Sequence, residues 1–283
     1  MNLPTRFYLT VKAIPNTSDN EILEDVWWHI LEEYTDRELT YPKVDKLVAL
    51  SGIATRMGIA MDDVYVAGHF WKTLPYSLNW QVQPPLAHEK RRKRMARRIT
   101  QSANEDNGER QNKTPSWSWA SMDGPLFILQ FAYLARRNKS LADAEAYALT
   151  PVDETNPTGQ IVSASLKIRA YCAEIKWTQG RPVLLSESWT WSDDVYILKV
   201  NIDDPNDWPA DGTRYWLAAL AEDDWLGTWE GLVLKEVGME GERLYRRIGH
   251  YLLFDSQRFE RRPEWRNDFR MAFGQEKRVI RLV

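Results

Sequence analysis

The chain has 283 residues, 43% hydrophobic and 27% charged, with a formal charge of -3 and a pI near 5.9. It is long enough for one large domain or two packed ones, and its charge offers no global attraction to nucleic acid or an anionic membrane. A single cysteine, Cys172, excludes an internal disulfide framework and a cysteine-based zinc site.

No apolar run approaches the ~20 residues of a membrane span. Met1 to Pro15 lacks the cationic and apolar segments of a secretory signal. The expected location is therefore the cytoplasm, with the nucleus as the alternative that a downstream basic run suggests.

Residues 1–20 read as an N-terminal extension. Ile22, Leu23, Val26, Trp27, Ile30, Leu31 and Tyr34 then recur at helical spacing and draw one apolar stripe, with Ser18 and Glu21 as a capping box. A second helix is predicted from Pro42 to Met57, its Leu47, Leu50 and Ala54 on one face and Gly58 ending it. A third is predicted across Val64, Ala67, Phe70, Trp71 and Leu74, stopping at Pro75. Residues 21–82 thus form a helical subdomain with an aromatic core.

Composition changes over residues 83–114. Pro84-Pro85 precedes the basic run Lys90, Arg91, Arg92, Lys93 and Arg94, with Arg97 and Arg98 beyond it, and a polar stretch follows. With almost no apolar side chains to offset the entropy of ordering, a mobile loop is predicted. The run is competent to contact phosphates, but the stacking aromatics of single-strand binders are missing beside it, and a solvated face explains it as well.

After Pro115 the pattern turns to strands. Val162, Ala164, Leu166, Ile168, Ala170 and Cys172 alternate at a period of two, and short apolar runs recur at 195–200, 215–220, 231–237, 251–254 and 279–283 between turn-rich segments. The fold class expected is α+β: an N-terminal helical subdomain followed by a mainly antiparallel β-sandwich or barrel-like domain over 115–283. The two can pack as one unit.

Pro115-Ser116-Trp117-Ser118-Trp119-Ala120-Ser121 is the most distinctive string. Read as a strand, it puts both indoles on one face and the serines on the other, as an aromatic core strand or a stacking platform. Fourteen tryptophans keep a carbohydrate-binding sandwich open as an alternative function. Asp193-Asp194, Asp203-Asp204, Asp207, Asp211 and Glu222-Asp223-Asp224 could supply a paired-carboxylate site or hard-cation ligands, but most fall where turns are expected and fit turn chemistry. His29, His69, His88 and His250 show no metal-ligand spacing, and no nucleophile elbow, phosphate loop or dinucleotide fingerprint is present. No catalytic residue, metal or cofactor is assigned.

Five strings in order resemble the region that follows the HET module in fungal heterokaryon-incompatibility proteins. The first runs from Trp28 through Tyr34, Arg37, Leu39 and Thr40. The second is Asp45-Lys46-Leu47-Val48-Ala49-Leu50-Ser51-Gly52-Ile53-Ala54. The third joins Gly68, Trp71 and Trp80, with one residue more before Trp71 than the family pattern has. Pro115, Trp117 and Trp119 carry the fourth, and Gly231 with Tyr245, Arg247 and Gly249 the fifth.

The resemblance implies a part in non-self recognition and a growth-arrest or cell-death response, with the HET module as the signalling part. About 25 residues precede the first string, against on the order of 100 for a compact signalling domain, so the module is expected outside this chain. The expected partners are then proteins, or that module in cis. A nucleic acid met through residues 90–98 is the further alternative. The oligomeric state is left open.

Overall fold

The computed structural model describes residues 20–82, 96–99, 114–127, 139–185, 196–223, 226–238, 243–255 and 265–283. Two compact units divide the chain: residues 1–132 with 148–164, and residues 133–147 with 165–283. Among the described residues no helix is long and apolar enough to cross a membrane.

In the first unit, helix α1 (Asn20–Thr35) buries Leu23, Trp27, Trp28, Ile30, Leu31 and Tyr34, much as the 3.6-residue period requires. Ile22, counted in the same stripe, is exposed instead. Ser18, the expected cap, lies outside the described residues.

Helix α2 (Pro42–Met61) begins with proline in its first turn and buries Leu47, Leu50, Ala54, Met57 and Met61. It passes through Gly58, contrary to the predicted stop. The left-handed cap is Asp62, at φ 49°, whose N–H reaches the Gly58 and Ile59 carbonyls. Aspartate tolerates this conformation better than most side chains, so glycine is not needed there.

The third predicted helix is absent. Tyr65–Val66 (β1) and His69–Phe70 (β2) form a hairpin, with Ala67 at φ 50° and Gly68 at φ 104° between them. Two positive-φ residues make the primed turn whose twist suits a two-residue hairpin, and that local geometry overrides the helical spacing of the apolar side chains. Short 3-10 turns follow at Trp71–Thr73 and Tyr76–Asn79.

Two further ladders belong to this unit. Gln81–Val82 (β3) pairs with Leu126–Phe127 (β6), and Arg97–Arg98 (β4) with Met122–Asp123 (β5). Most of the predicted loop at 83–114, including the basic run at 90–94, lies outside the described residues.

Residues 115–121 are not the expected strand. Ser118 N donates to the Pro115 carbonyl at 3.0 Å, and a 3-10 turn at Trp119–Ser121 follows, capped by Ser118 Oγ accepting from Ala120 N. Serines and indoles are buried alike, so there is no indole face opposed to a serine face. Local bonds from serine hydroxyls compete with strand geometry, which a period-two reading does not register.

The second unit is built on ten strands: β7 (Lys139–Ser140), β8 (Ala142–Pro151), β9 (Ile161–Ala170), β10 (Cys172–Thr178), β11 (Arg181–Leu185), β12 (Tyr196–Ile202), β13 (Arg214–Asp223), β14 (Thr228–Glu236), β15 (Leu244–Asp255) and β16 (Arg278–Leu282). They join one sheet in the order β11-β10-β13-β14-β15-β16-β9-β8, with β12 on β15 and β7 on β13. The far part of β8 and β9 with their connection, 148–164, belongs to the first unit.

All registered pairings are antiparallel except β15 with β16. Helix α3 (Trp265–Phe273) lies in the connection between those two parallel strands, as a parallel pair requires a crossover. The chain is thus α+β, with a β-rich domain after the first helices.

Trp229 meets Phe273 and Phe269 of α3 edge-on at 5.3 and 5.8 Å, and Tyr251 stacks on Phe273 at 5.9 Å. Burying an apolar face against a helix lets this side of the sheet exclude water, and Leu217, Val233 and Leu253 complete the core.

Candidate functional site

The residues of the five strings gather in two places, one in each unit. In the first unit Trp80 Nε1 donates to the Trp117 carbonyl at 3.0 Å, and Trp119 Nε1 donates to the Gly68 carbonyl at 2.6 Å. Tyr34 Oη donates to the Lys46 carbonyl at 2.9 Å, and its ring meets Trp119 edge-on at 6.1 Å. Lys46 Nζ sits 5.8 Å from the Tyr34 ring, and the ring of buried His69 lies 5.8 Å from Trp117.

Four strings therefore meet in one desolvated junction. Gly68 fits because a Cβ there would lie 2.6 Å from Trp119 Nε1. Burial holds the Tyr34 hydroxyl well above its ordinary pKa, so it stays a neutral donor.

The other residues of these strings are peripheral to the junction. Trp28 is buried in α1, and Trp71 is half-buried. Arg37 Nε donates to the Glu33 carbonyl at 3.3 Å, Leu39 is half-buried and Thr40 exposed. Asp45 lies in the first turn of α2, and Pro115 accepts the turn bond described above. Gly52 faces open space.

In the second unit Gly231 and Gly249 mark close approaches between strands. A Cβ on Gly231 would fall 2.0 Å from the Ala218 carbonyl oxygen, and one on Gly249 2.4 Å from that of Asn201. Arg247 forms a two-pronged pair with Asp203, Nε to Oδ2 at 2.9 Å and Nη2 to Oδ1 at 3.1 Å, and both side chains are essentially inaccessible. Asp204 caps the turn at Pro205–Asp207, Asp207 pairs with Arg246, and Asp211 accepts from Gly180 N at 3.0 Å. Turn chemistry describes Asp204, whereas the Asp211 carboxylate caps Gly180 in another turn, Glu222 and Asp223 lie buried in β13, and Asp203 is one half of a buried ion pair. Asp193, Asp194 and Asp224 lie outside the described residues.

None of these groups is arranged as a nucleophile with its base. Among the described residues no three His, Cys, Asp or Glu side chains cluster as metal ligands. His29 is exposed, and His250 is buried with Nε2 3.6 Å from Glu230.

Burial pushes the Cys172 thiol up to about 12, and Sγ donates to the Ala170 carbonyl. In the native protein at pH 8, Cys172 is accordingly expected to resist a thiol-specific chromogenic disulfide and to react fully once urea unfolds the chain. Absorbance of the released chromophore reads both states, and stoichiometric labelling of the native protein would contradict the burial.

The sequence motifs do not point to a separate cleft of about 480 Å³ at the C-terminal end of α2, between Ala54, Ile59, Asp62, Asp63, Val64 and Tyr65. The Asp63 carboxylate accepts from Val64 N at 2.7 Å and Lys72 N at 3.0 Å, and burial raises its pKa. The Tyr65 hydroxyl is desolvated and held well above its usual range. The adjacent acids at 62 and 63 were the signal available in the sequence, but a helix end explains such a pair equally well.

Of the tryptophans whose side chains are described, Trp208 is the exposed one, at 58%, packed edge-on against buried Trp177. A sugar-stacking surface would rest on that single indole. No family model, no curated protein and no solved structure matches the chain.

Proposed function

We propose that this chain is a non-enzymatic accessory and protein-interaction region of a heterokaryon-incompatibility (HET) type protein, acting in fungal non-self recognition and the growth arrest or cell death that follows. The observation that supports this most is the junction of Tyr34, Lys46, Gly68, Trp80, Trp117 and Trp119, where four of the five strings interlock through backbone carbonyls. Tyr34, Trp80 and Trp119 spend their polar atoms on backbone carbonyls of the other strings, and side chains used in that way build a scaffold. Surfaces on such a scaffold bind; the chemistry belongs to the module expected beside it.

The test is co-expression. In a filamentous fungus, a HET module is induced with and without this chain, and surviving colonies are counted. The chain is expected to change the survival that the module alone permits, and a Trp119→Ala chain is expected to lose that effect. Equal survival with and without the chain would overturn the proposal, and saturable binding on a glycan array would favour the carbohydrate alternative.

A further inference from the structure

Helix α2 carries two faces. The buried one faces the core of its unit, and the opposite one presents Tyr41 at the N-cap, then Val48, Gly52, Thr55 and Ile59, at successive spacings of seven, four, three and four. Tyr41 is 67% exposed, Val48 39% and Ile59 77%. The connection between β8 and β9 covers one flank of the helix, up to the Thr55 edge of the open face, through Thr158 Oγ1 to the Ser51 carbonyl and the Thr55 hydroxyl and Gln160 Nε2 to the Val44 carbonyl, each at 3.2 Å. A Cβ on Gly52, midway along the open face, would meet nothing within 4 Å.

We propose that this face pairs with the same face of a second copy of the chain, antiparallel about a two-fold axis near Ser51 and Gly52. The stripe is self-complementary in that arrangement. Val44 meets Ile59, Val48 meets Thr55, and Gly52 lets the two backbones approach at the axis.

Tyr41 of each copy falls opposite Asp62 of the other, above the cleft at the end of α2. That cleft, about 480 Å³, is ample for a phenol ring, with Ile59 and Val64 to pack it and carboxylates at its rim to accept its hydroxyl. The charges agree as well. Asp45 and Arg56 lie on the same flank of α2, and a two-fold axis of this kind brings Arg56 of one copy within about a turn of Asp45 of the other, twice. Antiparallel helix dipoles add to the fit.

A contact one helix long lies at the low end of specific interfaces, below ~1,200 Å² in total, so an exchanging monomer and dimer are expected, not a permanent pair. The inference rests on the shape and charge of α2 and stands or falls independently of the family proposed above.

Sedimentation velocity of the full chain from about 1 to 200 µM tests it. The apparent mass is expected to rise from 33.1 kDa towards twice that value. Val48→Asp and Ile59→Lys, both at exposed positions, should hold it at the monomer mass with an unchanged circular dichroism spectrum. Arg56→Asp alone should weaken association by setting two acids together, and adding Asp45→Arg should restore it. A wild-type chain that stays monomeric across the range would overturn the proposal, as would an Ile59→Lys chain that dimerises like the wild type.

Discussion

Replacing Arg247 by alanine is expected to destabilise the chain by about 3–5 kcal/mol, because it leaves the Asp203 carboxylate buried without its guanidinium. The two side chains are 0% and 1% exposed, and the pair is two-pronged. A carboxylate in that position must either keep its charge in a poorly solvated site or take up a proton, and both are costly. Arg247→Lys should recover only part of the loss, since an ammonium cannot reproduce the planar fork. Urea denaturation of the second unit, followed by tryptophan fluorescence, reads the change. A loss below about 1 kcal/mol, the scale of a surface pair, would mean that the site is wetter than the structure has it.

Trp119→Ala is expected to cost a similar amount, about 3–5 kcal/mol, in the first unit. Its indole is fully buried, meets Tyr34 edge-on, and supplies the N–H that satisfies the Gly68 carbonyl. Truncation removes the packing and leaves that carbonyl short of a donor in a dry junction. Trp119→Phe separates the two contributions. It keeps much of the ring volume and loses the hydrogen bond, so a loss between the wild type and Trp119→Ala is expected. Equal losses for phenylalanine and alanine would place nearly all the effect in the bond and its geometry.

These two sites show what a sequence carries and what it does not. Helix α1 is legible because Leu23, Trp27, Ile30, Leu31 and Tyr34 hold a 3.6-residue period that no local bond disturbs. The strands β9, β12, β13, β14, β15 and β16 are legible from their apolar runs. β8 is not, since Ala142–Pro151 mixes alanine with acids and leaves most of its side chains partly or fully exposed. Helix α3 is masked by Arg266, Asn267, Asp268 and Arg270 among its apolar residues.

The failures at 65–70 and 115–121 share a cause: a turn bond or a positive φ at one or two residues overrules a periodic pattern several residues long. The pairing of Asp203 with Arg247 spans 44 positions and comes from the register of β12 on β15, which acidic turn composition does not reveal.

The strings themselves were visible in the sequence, but their role was not. Gly68, Trp80, Trp117 and Trp119 are separated by up to 51 positions and become one junction only when the hairpin at 65–70 and the 3-10 turn at 119–121 have formed. The indole N–H groups of Trp80 and Trp119 are then spoken for, and the serines beside them serve the backbone. An observer limited to the sequence sees a row of indoles that suits a stacking platform equally well.

The claim that this chain is a scaffold for interaction and carries no chemistry of its own is tested most directly by incubating the purified full chain with NAD and nucleoside triphosphates and following them by chromatography. The expected result is no turnover above a protein-free blank, for the wild type and for Trp119→Ala alike. Saturable turnover by the wild type, abolished by a single substitution that leaves the fold intact, would contradict it.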